Sequence, residues 1–178
     1  MTGKGYSKTE LEMLTSLDKM VRRKGAGNVL DAIARELDAE LKDCKEEILI
    51  WRPVIINHFG SELPEGIRSV WVFGVQAKKR TGAERHPRSH QRMMSFWGTG
   101  DLEVWDGKRW ISRALVSELS EKIGKRWISI PPHTWHQALA GERNWIVVSF
   151  HTVCEDELVE ERPDPDDPMV THSRRYLA

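Results

Sequence analysis

Glu84-Arg85-His86-Pro87-Arg88-Ser89-His90-Gln91 lies between two strand-like runs and ahead of the turn at Gly98-Thr99-Gly100. The stretch concentrates side chains able to ligate a metal. A second cluster, Pro131-Pro132-His133-Thr134-Trp135-His136, stands further along, at the head of another strand-like segment. The two clusters predict one site assembled from two hairpins. The fold is therefore decided by whether the chain around them reads as strands.

It does, from about Ile48 onward. Ile48-Leu49-Ile50-Trp51 is a short apolar run stopped by Pro53 and followed by Val54-Ile55-Ile56, and Val70 to Val75 is rich in the β-branched and aromatic residues that suit a pleated surface. Arg92 to Trp97 forms another run. Leu102 to Trp105 and Lys108 to Ser112 flank Asp106-Gly107, a two-residue hairpin turn. Trp127 to Ile130, Gln137 to Ala140 and Trp145 to Phe150 complete the series, with Gly141-Glu142-Arg143-Asn144 as a turn. Short strands separated by turns, without intervening helices, predict an all-β antiparallel sandwich or barrel.

Before the strands, Ser7-Lys8-Thr9-Glu10 has the form of a capping box, which predicts a helix start. Leu11, Leu14, Leu17 and Val21 give an apolar stripe, and Arg22-Arg23-Lys24 puts cations at the negative end of the helix dipole. Gly25-Ala26-Gly27 is expected to break the helix. Asn28 is expected to cap a second one, with Leu30, Ile33, Ala34, Leu37 and Leu41 on its apolar face. Residues 1–45 thus predict an α-helical hairpin that covers one face of the β domain, 46–153, or forms a dimer contact. A helix-turn-helix reading would set Arg22, Arg23 and Lys24 on phosphate. The second helix instead carries Asp31, Glu36, Asp38 and Glu40, which disfavours it.

Residues 154–178 are acidic and proline-rich through Arg162-Pro163-Asp164-Pro165-Asp166-Asp167-Pro168, the composition of a solvated tail, with Arg174-Arg175-Tyr176-Leu177 as the part able to dock back. The 178 residues suit one ordinary domain with appendages. Lys plus Arg and Asp plus Glu balance at 27 each, so no global charge favours nucleic acid or a membrane as partner. Cys44 and Cys154 are far apart and form no CxxC, which predicts reduced, cytosolic thiols. The N-terminus from Met1 to Tyr6 is polar, and no run approaches the roughly 20 apolar residues of a bilayer span. The expectation is a soluble, cytoplasmic protein.

With these elements placed, the chain resembles the cupin superfamily over about residues 65–152. In the first cupin pattern, G-x5-H-x-H-x3-4-E-x6-G, reading back from Gly98 puts Gln91 at the Glu position, His86 at the second His and Glu84 at the first. The second pattern, G-x5-P-x-G-x2-H-x3-N, is similar to Gly124 through His136, with Pro131 and His136 at its Pro and His. His133 replaces Gly, Ala140 replaces Asn, and one extra residue follows Gly124. The resemblance implies a double-stranded β-helix, or jelly-roll, barrel, and cupins commonly pair as homodimers through their sheets.

Neutral imidazole from His86 and His136 with carboxylate from Glu84 makes a two-His, one-carboxylate set suited to a divalent transition metal, Fe, Mn, Ni or Zn, to which Gln91 adds a carbonyl oxygen. Positions 84 and 86 share one side of a strand, as converging ligands require. Parity sends His90 and Gln91 to opposite faces, whereas a bend at Pro87 would let His90 swing in as the alternative ligand. Met93, Ser95 and Trp97 continue the parity of Gln91 and are expected to line an apolar pocket, or simply to fill the barrel; Arg92, Met94 and Phe96 fall on the face the helices would cover. His133 reads as a turn residue and His151 as a hydrogen-bonded rim or core residue. Cys154 has no base or helix start to activate it.

The resemblance implies a metal-dependent enzyme acting on a small organic molecule, dioxygenase-like first and a sugar isomerase second. The opposing expectation is a non-catalytic cupin that binds or senses a small molecule, since the first motif has lost two ligand identities. The weakest is a DNA-binding regulator working through the N-terminal helices.

Overall fold

Leu14, Leu17, Met20 and Val21 on α1 (Lys8–Val21) and Ala26, Leu30, Ala34, Leu37 and Leu41 on α2 (Lys24–Asp43) recur at helical spacing and are all buried. The computed structural model describes residues 6–44, 46–167 and 169–177. Met1 to Gly5 of the polar N-terminus and Pro168 of the proline-rich stretch lie outside the described residues. Ser7 caps α1, its hydroxyl accepting the Glu10 N–H. Leu11, expected on the apolar stripe, is 44% exposed instead.

The second helix begins earlier than Asn28. Arg23 is its N-cap, and Gly25, Ala26 and Gly27 lie within its first turns. The reason is close approach: a Cβ on Gly27 would stand 3.2 Å from the Val21 carbonyl oxygen. These glycines let the two helices meet at a tight corner, so they do not end one.

The strands of the β domain form two antiparallel sheets. One runs in the order β1 (Leu49–Val54), β2 (Ser69–Val75), β9 (Trp145–His151), β3 (Gln91–Trp97), β7 (Trp127–Ile130). Strands from opposite ends of the β domain therefore lie side by side, as a jelly roll requires. Pro53 does not stop β1 but lies within it, on the sheet edge, where its missing N–H breaks no ladder bond. The other sheet centres on β4 (Thr99–Trp105), paired on one side with β5 (Trp110–Ile111) and β6 (Ala114–Val116) and on the other with β8 (His136–Ala140). The β4–β5 turn is longer than Asp106-Gly107, because the Asp106 carboxylate accepts the N–H groups of Lys108 and Arg109 and Trp105 pairs with Trp110. A short helix, α3 (Ile123–Arg126), precedes β7.

The first sheet is buried on both faces. Val70, Val72, Met94, Ile146, Val148 and Phe150 point to the helices and join one core cluster. Trp71, Phe73, Met93, Trp145 and Val147 point between the sheets and join a second cluster with Leu102 and Ile130. That two-sided burial is why β2 reads as a continuous apolar run.

Residues 154–178 are not a solvated tail where described. β10 (Val159–Pro163) and β11 (Thr171–Arg175) form an antiparallel hairpin, and Arg85 bridges to Glu161 beside it. Leu158, Glu160 and Tyr176 are buried. Composition misled because the charges neutralise each other: Glu160, fully buried, is held by Arg162, Arg174 and the Tyr176 hydroxyl.

Candidate metal centre

Glu84 and His136 face each other across an antiparallel bridge, in which each backbone N–H donates to the other residue's carbonyl, at 2.8 and 2.9 Å. His133 adopts φ 61° in the turn before His136, and its N–H donates to the His86 carbonyl. This backbone knot aims three side chains at one point. The ligand atoms of Glu84, His86 and His136 all lie within 4.8 Å of one another.

Each histidine is fixed from behind. Nδ1 of His86 lies 3.1 Å from the Val159 carbonyl oxygen, and Nδ1 of His136 lies 3.0 Å from that of Thr134. A carbonyl only accepts, so each Nδ1 carries a proton, and in its neutral form each ring presents the Nε2 lone pair inward. Both Nε2 atoms and Oε1 of Gln91 are buried with no hydrogen-bond partner, His136 Nε2 having only the Glu84 carboxylate at 3.5 Å. Three inward acceptors with no donor are what a cation satisfies, and the residues present fit one.

Glu84 completes the set. Burial works to raise its carboxyl, but the interaction with His136, the nearby His86 and the Arg162 guanidinium outweigh it and hold the group at about 2. Arg162 donates to Glu84 Oε2 at 2.9 Å, while Oε1 lies 3.5 Å from His136 Nε2. Burial, reinforced by neighbouring His136, pushes His86 below the usual imidazole value. The lowered value favours the neutral ring that ligation requires.

The other expected site residues distribute as follows. Gln91 is buried and inward, its Nε2 donating to Ser149 Oγ at 2.9 Å. His90 lies on the opposite face, its Nε2 2.7 Å from Ser129 Oγ, and stays out of the cluster despite Pro87. Met93 packs into the inter-sheet core, and the Ser95 hydroxyl is tied to Trp145 and the Gly98 carbonyl. Trp97 departs from the expected parity. A register shift between Ser95 and Trp97 turns its ring onto Phe96 and the helix-side cluster, away from the interior.

Sequence reasoning missed Ser149, which sits inward on β9 with His151, alternating with Val147, a strand-parity signal that was readable; His151 is buried and hydrogen-bonded, as expected of it. Burial, with His86 and His136 beyond it, pushes His151 well below the usual value. Val159, Glu160, Arg162 and Tyr176 come from the C-terminal hairpin, where no motif announces them. Burial, then Glu84 and Glu160, push the Tyr176 hydroxyl well above its ordinary value, so it stays protonated beside His86.

No family model and no curated protein matches the chain. Among solved structures it is similar to KdgF from Halomonas sp., with 18% identity and TM-score 0.45 over 62% of this chain and 84% of that one. It is also similar to an uncharacterized conserved protein with a double-stranded β-helix domain from Klebsiella pneumoniae (16%, TM-score 0.43, 58% and 75%). A third is the capsular polysaccharide assembling protein CapF from Staphylococcus aureus (15%, TM-score 0.43, 60% and 28%). The matched part spans under a third of the CapF chain. Likenesses at this level carry no argument about chemistry. On its own strand order, with the two His-bearing segments meeting at the Glu84–His136 bridge, the β domain of this chain has the double-stranded β-helix, or jelly-roll, arrangement.

Proposed function

We propose that this protein is a metal-dependent cupin-type enzyme acting on a small organic molecule, dioxygenase-like in reaction class, with Fe, Mn, Ni or Zn as its ion. The observation that carries the reading is the convergence of buried His86 Nε2 and His136 Nε2 on the Glu84 carboxylate, with Gln91 Oε1 a further buried acceptor that has no partner. A divalent ion held by these four residues supplies Lewis-acid polarisation of an oxygen-bearing substrate. The chain's own groups do the rest. Val159 and Thr134 hold the imidazole tautomers, Arg162 orients Glu84, and Trp71, Phe73 and Met93 keep the inter-sheet space apolar. Among the described residues no helix is long and apolar enough to cross a membrane. A cytoplasmic location and a homodimer belong to the same reading, checked by fractionation and sedimentation.

Elemental analysis of the purified protein beside His86→Ala and His136→Ala tests the proposal. Metal at about one ion per chain in the parent, absent from both variants, supports it. A parent that holds no metal and takes up none of the four ions sinks it. A second reading, a non-catalytic cupin that senses a small molecule, draws on the Arg162–Glu84 ion pair, which engages the carboxylate a metal would use. Oxygen consumption by the metal-loaded protein across a panel of small hydroxy and keto acids separates the two.

A further inference from the structure

His151 stands close to the cluster, its ring centroid 5.2 Å from that of His86, yet neither of its nitrogens is available as a ligand. Nε2 lies 2.9 Å from Ser149 Oγ and Nδ1 lies 3.1 Å from Ser89 Oγ, all three residues being buried. Ser149 Oγ also accepts from Gln91 Nε2. Ser89 Oγ accepts the Thr152 N–H at 3.2 Å and faces the His90 carbonyl at 3.4 Å. Gln91 and His151 are cross-strand partners in the β3–β9 register.

These bonds form one chain with one direction. A hydroxyl has a single proton, and a neutral imidazole has one donor and one acceptor. When Gln91 donates to Ser149, the Ser149 proton goes to His151 Nε2, and His151 donates from Nδ1 to Ser89. Gln91 Oε1 is then the atom left buried with no partner. Reversing the chain would put Nε2–H on His151, have Ser149 donate to the Gln91 carbonyl, and set the Gln91 amide N–H groups where the partnerless oxygen now stands. Those hydrogens would fill the space of a cation. The direction of the chain and the cation-binding face of Gln91 are thus a single variable.

We propose that Ser149 and His151, backed by Ser89, are positioning residues that lock Gln91 carbonyl-first as a neutral oxygen ligand, so that the His151 tautomer is coupled to occupation of the metal centre. The inference rests on the metal reading above and deepens it. It also accounts for the glutamine: a carboxylate at position 91 has no donor to start the chain.

Two measurements on the full chain test it. Nitrogen NMR of labelled histidine in the Zn(II)-loaded protein reads the tautomer of His151 directly. Protonation on Nδ1 is expected; protonation on Nε2 overturns the proposal. Titration with Co(II), followed by its visible absorption, reads the ligand set. Ser149→Ala is expected to weaken affinity by about 10- to 100-fold and to shift the absorption bands, with Ser149→Thr, which keeps the hydroxyl, restoring both. Unchanged affinity and spectrum in Ser149→Ala overturn it. A parent that takes up neither ion defeats the metal reading instead. The chain is then judged in the metal-free protein: displaced His151 nitrogen signals in Ser149→Ala support it, and unmoved ones overturn it.

Discussion

Asp18 gathers three partners outside the metal centre. It lies on the buried side of α1, where Oδ1 accepts from Arg126 at 2.5 Å and from Trp127 Nε1 at 2.9 Å, and Oδ2 pairs with Arg22 at 2.8 Å. Removing one member of a buried pair leaves the other uncompensated, so Asp18→Asn should lose about 3 kcal/mol in urea unfolding at neutral pH. Burial works to raise the Asp18 carboxyl, but the bonds from Arg126 and Trp127 and the charges of Arg126 and Arg22 outweigh it and depress the folded value. A depressed carboxyl contributes stability above its unfolded value, near about 3.9, and loses it as pH falls through the folded value. The gap between parent and Asp18→Asn should therefore be widest near neutrality and shrink in acid. A gap constant down to strongly acid pH would contradict the assignment. The burial of Asp18 was not legible in the sequence, because Arg126 and Trp127 lie more than a hundred residues away. Glu84, His86 and His136 were legible, because two local spacings each fix where a strand aims its side chains.

Elements here are joined by side chains that local rules assign elsewhere. The capping box at the start of α1 predicts that Glu10 returns to the Ser7 backbone. Instead its two carboxylate oxygens take Arg92 on β3, at 2.8 and 2.9 Å, and clamp the helix to the sheet. Glutamine serves a capping box as well as glutamate does, so that rule alone predicts no effect of Glu10→Gln. The clamp predicts a loss of about 1.5 kcal/mol, read by thermal or urea unfolding, since Arg92 is buried and loses a charge-assisted bidentate partner. The C-terminal hairpin makes the same point for the site. Composition marks it as solvated, yet it supplies the carbonyl behind His86 and the guanidinium on Glu84. Its Tyr176 hydroxyl donates to fully buried Glu160, so Tyr176→Phe should destabilise by about 1 to 2 kcal/mol in urea unfolding. Charge runs are read as solvated because their pairing depends on tertiary contacts that no local window contains.

At the scale of the whole molecule, the sheet bearing β2, β9 and β3 divides two cores, one shared with the helices and one shared with the second sheet. Alternation along β3 foretold its inward and outward faces up to Ser95, and it failed at Trp97, where an inserted residue changes the register. What it could not foretell is how closely the sheets approach. Gly100 on β4 lies against the ring of Trp145 on β9: a Cβ there would stand 2.1 to 2.5 Å from ring carbons. Trp145 cannot retreat readily, since it is fully buried and its Nε1 donates to Ser95 Oγ at 2.8 Å. Gly100→Ala should therefore force the sheets apart or turn the indole out of its rotamer, destabilising by about 3 kcal/mol, at the upper end for overpacking. Gly25, inside α2 with nothing within 4 Å of its missing Cβ, provides the control. Gly25→Ala should stabilise by up to about 1 kcal/mol, because alanine adds helix propensity and restricts the unfolded chain. Urea unfolding of both variants, followed by tryptophan fluorescence and by far-ultraviolet dichroism, checks the pair. Coincident transitions shifted in opposite directions would show the helices and both sheets unfolding as one unit. A Gly100→Ala midpoint equal to that of the parent would mean that the sheets yield without loss, and the close seating of Trp145 would not be what holds the two halves of the barrel together.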